Sequence, residues 1–171
     1  EICRVFFDKS YHSLIELESY GHDIEASWLI DRACQVLEDK AYYAEMLPVI
    51  EQLADGALKN GMDTDNQAMN NECENGTVNA KKVWWVQAEA VTGFYNAYQN
   101  QPDRTEYLKV SENVWNYIQQ YIIDSKTGEW IEDILPDNTV KPGQALAHPW
   151  KCPYHNGRMC IEMVRRLSSA S

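Results

Sequence analysis

The chain has 171 residues, of which 44% are hydrophobic and 24% charged, and its formal net charge is −11. This length can bury a core as one domain, and no apolar run approaches the length of a membrane-spanning helix, so we expect no membrane partner. The acidity excludes a typical nucleic-acid partner, because phosphate binding needs clustered Lys and Arg.

Apolar residues at helical spacing predict helices joined by loops of unequal length. In chain order, the predicted helices span residues 23–39, 41–60, 80–99, 103–123 and 155–167. Pro48 should kink the second helix or mark its true start. Residues 61–77 and 124–150 are predicted loops, the second with a possible short strand at 129–135. Residues 168–171 should fray.

The helices are predicted to form hairpins, whose first members begin near Asp23, Ala80 and His155. Repeated antiparallel hairpins place all the first helices parallel, so that their N-termini share one rim. Each of these starts carries an unusual polar or aromatic cluster. We therefore expect the three clusters to meet on that rim.

The first cluster contains His22, Glu25 and Trp28, which fall on one side of a helix at spacings of three and six. Gly21 frees the backbone for a sharp turn into that helix. The pattern is also typical of a simpler arrangement, in which His22 caps the helix and Trp28 belongs to the core.

The second cluster runs from Lys82 to Ala90 and contains two adjacent tryptophans, Trp84 and Trp85. Flat apolar rings beside a glutamine and Glu89 suit a sugar, which has apolar C–H faces and a rim of hydroxyls. The alternative is a core pair of tryptophans with a solvated glutamate.

The third cluster, residues 148–160, leads into the last helix at His155. Four of its side chains, His148, Cys152, His155 and Cys160, are metal-ligand types, which makes a zinc site an alternative. Their spacing matches no common zinc pattern, so the predicted site holds no metal. Five cysteines in no recognisable disulfide framework predict free thiols and a cytoplasmic protein. Residues 1–7 lack the pattern of a secretory signal peptide.

Two histidines on one rim could exchange a proton with a sugar, since imidazole titrates near neutral pH. An open-chain aldose has an acidified C–H next to its carbonyl. Abstraction of that proton gives an enediolate, and its return to the other face inverts the carbon. This chemistry needs no metal if hydrogen bonds stabilise the oxyanion.

Segments from the three clusters closely resemble cellobiose 2-epimerases, within the N-acylglucosamine 2-epimerase superfamily. These are residues 19–26 (SYGHDIEA), 84–90 (WWVQAEA) and 150–158 (WKCPYHNGR). The resemblance runs over nearly the whole chain, in order and at similar spacing. The third segment favours cellobiose 2-epimerases over their N-acylglucosamine relatives.

The resemblance implies an all-α fold of helical hairpins and conversion of the reducing-end glucose of a β-1,4-linked disaccharide to mannose, without a cofactor. Family members are about twice as long, and the resemblance implies that residues 1–171 correspond to the C-terminal half of an (α/α)6-barrel catalytic domain. The expected partners are the disaccharide substrate and the N-terminal half of the barrel, in the same or a separate chain.

The resemblance also implies roles for individual residues. His155 matches the general acid/base at C2, and His22 matches a second catalytic histidine that handles ring opening and protons. Carboxylates that hold hydroxyls and orient the histidines, and rings that pack on the sugar, match Glu25, Glu89, Trp28 and Trp85. The family's catalytic arginine falls in the missing half.

Two other functions remain open at this stage. A glycoside hydrolase on a similar helical barrel would use Glu25 and Glu89 as its acid pair, with carboxyls about 5 to 10 Å apart across a sugar. The third possibility is a non-catalytic carbohydrate-binding fragment, since half of the site is absent.

Overall fold

The computed structural model describes residues 2–168, which are mostly helical. The five α-helices are α1 (Tyr20–Leu37), α2 (Lys40–Gly56), α3 (Trp84–Asn100), α4 (Thr105–Tyr117) and α5 (Tyr154–Ser168). Short π-helical segments, Ala57–Gly61 and Ile118–Ile122, continue α2 and α4. The five predicted helices are therefore present, with small shifts at their ends. Ser168 closes α5, and the predicted fraying of residues 169–171 lies outside the described residues.

Helices α1 and α2 form one hairpin and α3 and α4 form a second, while α5 packs on α3. Helices α1 and α3 run parallel, because Trp28 bonds Glu89 while Asp31, one turn later, bonds Asn96. Helix α5 runs the same way, since Glu89 bonds His155 and Asn96 bonds Arg166, about three turns later. The N-termini of α1, α3 and α5 therefore lie on one rim, as predicted.

Helix α3 lies at the centre of the molecule, and every residue from Val86 to Ala97 is buried. A helix that is covered on all sides needs small residues where its neighbours approach closely. Gly93 is such a residue, because an added Cβ would lie 2.4 Å from Cγ1 of Ile24 on α1. The glycine therefore sets the distance between α1 and α3.

Two small antiparallel sheets were only partly predicted. Strands β1 (Leu17–Ser19), β2 (Glu72–Glu74) and β3 (Thr77–Asn79) form one sheet, and β4 (Lys82–Val83) pairs with β5 (Asp133–Ile134). The predicted loop at 61–77 is wrong at β2 and β3, which a tight turn at Asn75-Gly76 joins with φ angles of 49° and 77°. The strand expected at 129–135 is present only as β5.

Predicted helix starts also differ from the structure, as α1 begins at Tyr20 rather than near Asp23. Helix α3 begins at Trp84 rather than near Ala80, because residues 82–83 pair as β4. Pro48 does not mark the start of α2, which begins after Asp39, whose carboxylate accepts hydrogen bonds from the N–H groups of Ala41 and Tyr42. The helix continues through the proline.

Cys34, Cys73, Cys152 and Cys160 are free thiols, as predicted. In the described part of the chain, no helix combines the length and apolar composition needed to cross a bilayer.

Candidate active site

Three aromatic rings from three helices meet at the shared rim. The His22 ring of α1 lies 4.9 Å from the Trp85 ring of α3, and the His155 ring of α5 lies 5.3 Å from the same indole, measured between centroids. Both imidazoles therefore contact one tryptophan, although 133 residues separate them in sequence. The two predicted catalytic histidines are thus joined through the Trp85 ring.

His155 is oriented by a buried carboxylate. Its Nδ1 lies 2.7 Å from Oε1 of Glu89, and the Trp28 indole N–H donates to Oε2 at 2.9 Å. The Glu89 side chain is only 2% exposed. A carboxylate that accepts from Nδ1–H favours the neutral tautomer with a free lone pair on Nε2. The geometry thus prepares Nε2 of His155 to take a proton.

His22 is exposed at the first turn of α1, with Nδ1 2.7 Å from the Ser19 hydroxyl. Ser19 occupies the N-cap position, but its side chain caps no backbone N–H of the helix, which leaves it to the histidine. Gly21 makes room beside it, because an added Cβ would lie 2.6 Å from atoms of the Trp85 ring. The turn into α1 therefore fixes His22 against Trp85.

The two tryptophans predicted to pack on a sugar lie in different surroundings. Trp85 is half-buried at the rim, whereas Trp28 is only 3% exposed. The Arg158 guanidinium lies over the Trp28 ring, with Cζ 5.0 Å from its centroid. This placement favours Trp85 as a platform for a ligand. It does not favour a stacking role for Trp28, which instead positions Glu89.

Arg158 is the site residue to which the sequence analysis assigned no role. Its Nη2 donates to Glu89 at 2.7 Å and to Glu25, joining the two predicted carboxylates. Burial lowers the pKa of Arg158, but hydrogen bonds to Glu25 and Glu89 outweigh it, so that the pKa lies above its usual range. Arg158 follows His155 by three residues, the spacing that joins His22 and Glu25, and this signal could have identified it.

The side chains of Glu25, Glu89 and His155 could in principle hold a metal ion, since their ligand atoms lie within 4.8 Å of one another. The Arg158 guanidinium, however, donates hydrogen bonds to both carboxylates and so takes the place that a cation would occupy. The alternative of a zinc site in the third cluster finds no support among residues 2–168. There, His148 bonds Glu132, His155 bonds Glu89, and Cys152 and Cys160 are exposed.

Comparison with known proteins identifies relatives of this arrangement. Cellobiose 2-epimerase from Ruminococcus albus is 46% identical in an alignment of 168 residues that covers 95% of this chain and 41% of that protein. The crystal structure of a sugar epimerase from a ruminal bacterium superimposes with a TM-score of 0.90 at 40% identity, over 96% of this chain and 42% of that one. Cellobiose 2-epimerase from Bacillus thermoamylovorans gives a TM-score of 0.87 at 41% identity, with the same shares of the two chains covered.

The chain thus spans about two fifths of the length of these relatives. The structural neighbours are (α/α)6 barrels, which confirms the prediction that these hairpins form part of such a barrel. The model of the N-acylglucosamine 2-epimerase (GlcNAc 2-epimerase) family matches residues 10–156. The chain therefore belongs to the N-acylglucosamine 2-epimerase family.

Proposed function

We propose that this chain supplies the histidine side of the active site of a sugar epimerase, which inverts C2 of the reducing-end glucose of β-1,4-linked disaccharides. Cellobiose would give glucosyl-mannose. The observation that carries the proposal is the pairing of His155 with buried Glu89 beside the half-exposed Trp85. The name cellobiose 2-epimerase on a relative with 46% identity supports the choice of substrate.

The first chemical step is removal of the C2 proton from the open-chain sugar. Nε2 of His155 takes the proton, and the C–H electron pair moves toward C1 to give an enediolate, whose oxyanion needs hydrogen-bond donors. The imidazole becomes positively charged in this step. The Glu89 carboxylate, 2.7 Å from Nδ1, stabilises that charge.

The second step returns a proton to the opposite face of C2. His22 is the second imidazole at the rim and is exposed, and in its protonated form it assists ring opening and delivers the proton to C2. Formation of the new C2–H bond re-forms the C1 carbonyl and gives the inverted aldose. After turnover His155 holds one extra proton and His22 lacks one, and exchange with water restores both. The Trp85 ring contacts both imidazoles, and it is the platform on which the sugar lies.

The glycoside hydrolase alternative finds little support in this geometry. A hydrolase needs two carboxyl groups that face a glycosidic bond from either side. Here Glu25 and Glu89 both bond to Nη2 of Arg158, and Glu89 is buried. An arginine therefore occupies the space in which the sugar would have to lie.

The proposed partner of this chain is the rest of the barrel, as the resemblance implies. Helix α5 exposes Ile161, Val164 and Leu167, which follow one another at intervals of three and lie on one side of the helix. Exposed apolar stripes of this kind mark surfaces that another element covers. Cytoplasmic location and independence of a cofactor stay predictions.

The test is incubation of the complete protein with cellobiose, followed by analysis of the sugars. We expect 4-O-glucosyl-mannose. Free glucose would identify a hydrolase, and unchanged cellobiose would identify a binding protein. A glucosyl-fructose product would mean that the enediolate is protonated at C1 instead, and that the chain belongs to an aldose–ketose isomerase.

A further inference from the structure

Arg158 is held in one place by contacts on several sides. One terminal nitrogen, Nη2, donates to Glu89 and Glu25, and the other, Nη1, donates to the Tyr154 hydroxyl at 2.5 Å. The guanidinium also lies against the Trp28 and Tyr154 rings, with Cζ 5.0 and 4.5 Å from their centroids. Only 19% of the side chain is exposed. Its charge is therefore fixed relative to the two carboxylates.

Arg158 and His155 share one acceptor atom. Oε1 of Glu89 lies 2.7 Å from Nδ1 of His155 and 2.7 Å from Nη2 of Arg158. The group thus places two carboxyl groups and one guanidinium next to the imidazole. Without the arginine, two negative charges would face the imidazole uncompensated.

That difference in charge bears directly on the chemistry of a base. Nearby carboxylates favour the protonated form of histidine, and a cation beside them opposes this effect. A protonated imidazole cannot remove a proton from C2. The amount of active base at neutral pH should therefore depend on the arginine.

We propose that Arg158 is a positioning residue that keeps Glu89 aimed at His155 and keeps His155 neutral, and thus ready to act as the base. This inference rests on the proposed function. It adds a residue that touches neither the sugar nor the reacting carbon in our account. Arg158 acts only through Glu89 and Glu25.

The experiment uses the complete protein with Arg158→Gln and Arg158→Lys variants. The titration of His155 is followed by nitrogen NMR of its imidazole without substrate, and kcat is measured against pH with cellobiose. In Arg158→Gln we expect the midpoint of His155 and the acid limb of kcat to move to higher pH by roughly one unit or more. Arg158→Lys retains the positive charge, so both should return toward the parent values.

Two further variants test whether the effect is one of charge. Arg158→Gln combined with Glu25→Gln restores the net charge of the group, so the His155 midpoint should return toward that of the parent. Arg166, two turns further along α5, bonds Asn96 and Gln99 instead of the site carboxylates. Arg166→Gln should leave the His155 midpoint unchanged and serves as the matched control.

An unmoved His155 midpoint in Arg158→Gln, or a lower kcat with an unmoved acid limb, would overturn the proposal and leave Arg158 a purely structural role. If Arg158→Gln does not fold, Glu25→Gln alone decides, because removal of one carboxylate should lower the midpoint. A raised or unchanged midpoint there would also overturn the proposal. The NMR titration needs no turnover, so failure of the epimerase assignment is seen separately in the cellobiose assay.

Discussion

At the scale of single residues, Glu89 is the centre of the site. Its two oxygens accept hydrogen bonds from His155, Arg158 and the Trp28 indole, which come from two other helices. Sequence spacing identified these residue types and the helix faces on which they lie. It could not show which side chains on neighbouring helices would meet, and for this reason Arg158 had no predicted role.

The role of Trp85 can be separated from general core packing. Trp85→Ala in the complete protein should lower kcat/KM for cellobiose about tenfold or more, because a stacking platform contributes on the order of 1 kcal/mol beyond its buried area. Trp115 is the matched control, since it is also a half-buried tryptophan packed on the core.

Trp115→Ala should reduce thermal stability and leave kcat/KM nearly unchanged. Equal kinetic effects of the two substitutions would return Trp85 to a core role. Steady-state kinetics and a melting curve for each variant give the comparison.

At the scale of secondary structure, the long helices were predictable and the short strands were not. The apolar periodicity of α1, α3 and α4 extends over several turns, whereas each of the five strands has only two or three residues. A segment of that length shows no alternation that could be recognised. Pairing with distant residues, such as β4 with β5, decides its conformation instead.

The contact of α1 with α3 depends on Gly93, and this gives a test of packing. An added methyl group would meet the Ile24 side chain at 2.4 Å and its carbonyl oxygen at 2.8 Å. Gly93→Ala should therefore destabilise the complete protein by roughly 1–3 kcal/mol in urea unfolding.

Ile24→Ala removes part of the clash, so it should cost less in the Gly93→Ala background than in the parent. We expect a coupling on the order of 1 kcal/mol from the double-mutant cycle. Strictly additive effects would show that Gly93 does not set the approach of the two helices.

At the scale of the whole molecule, hairpin repetition explains why distant clusters form one site. Residues near 22, 85 and 155 come together because parallel first helices place their N-termini on one rim. The sequence repeat predicted this convergence. The number of hairpins in an (α/α)6 barrel came only from the resemblance, since the chain spans about two fifths of the length of its relatives.

In the proposed mechanism, His155 removes the C2 proton and a second group returns a proton to the other face of C2. The most direct test is turnover of cellobiose in D₂O by the complete protein, with proton NMR of C2 in the product. We expect the glucosyl-mannose to carry deuterium at C2, and His155→Asn to show neither label nor product while keeping the parent's circular dichroism. Glucosyl-mannose with an unlabelled C2, or epimerisation by His155→Asn, would contradict the account.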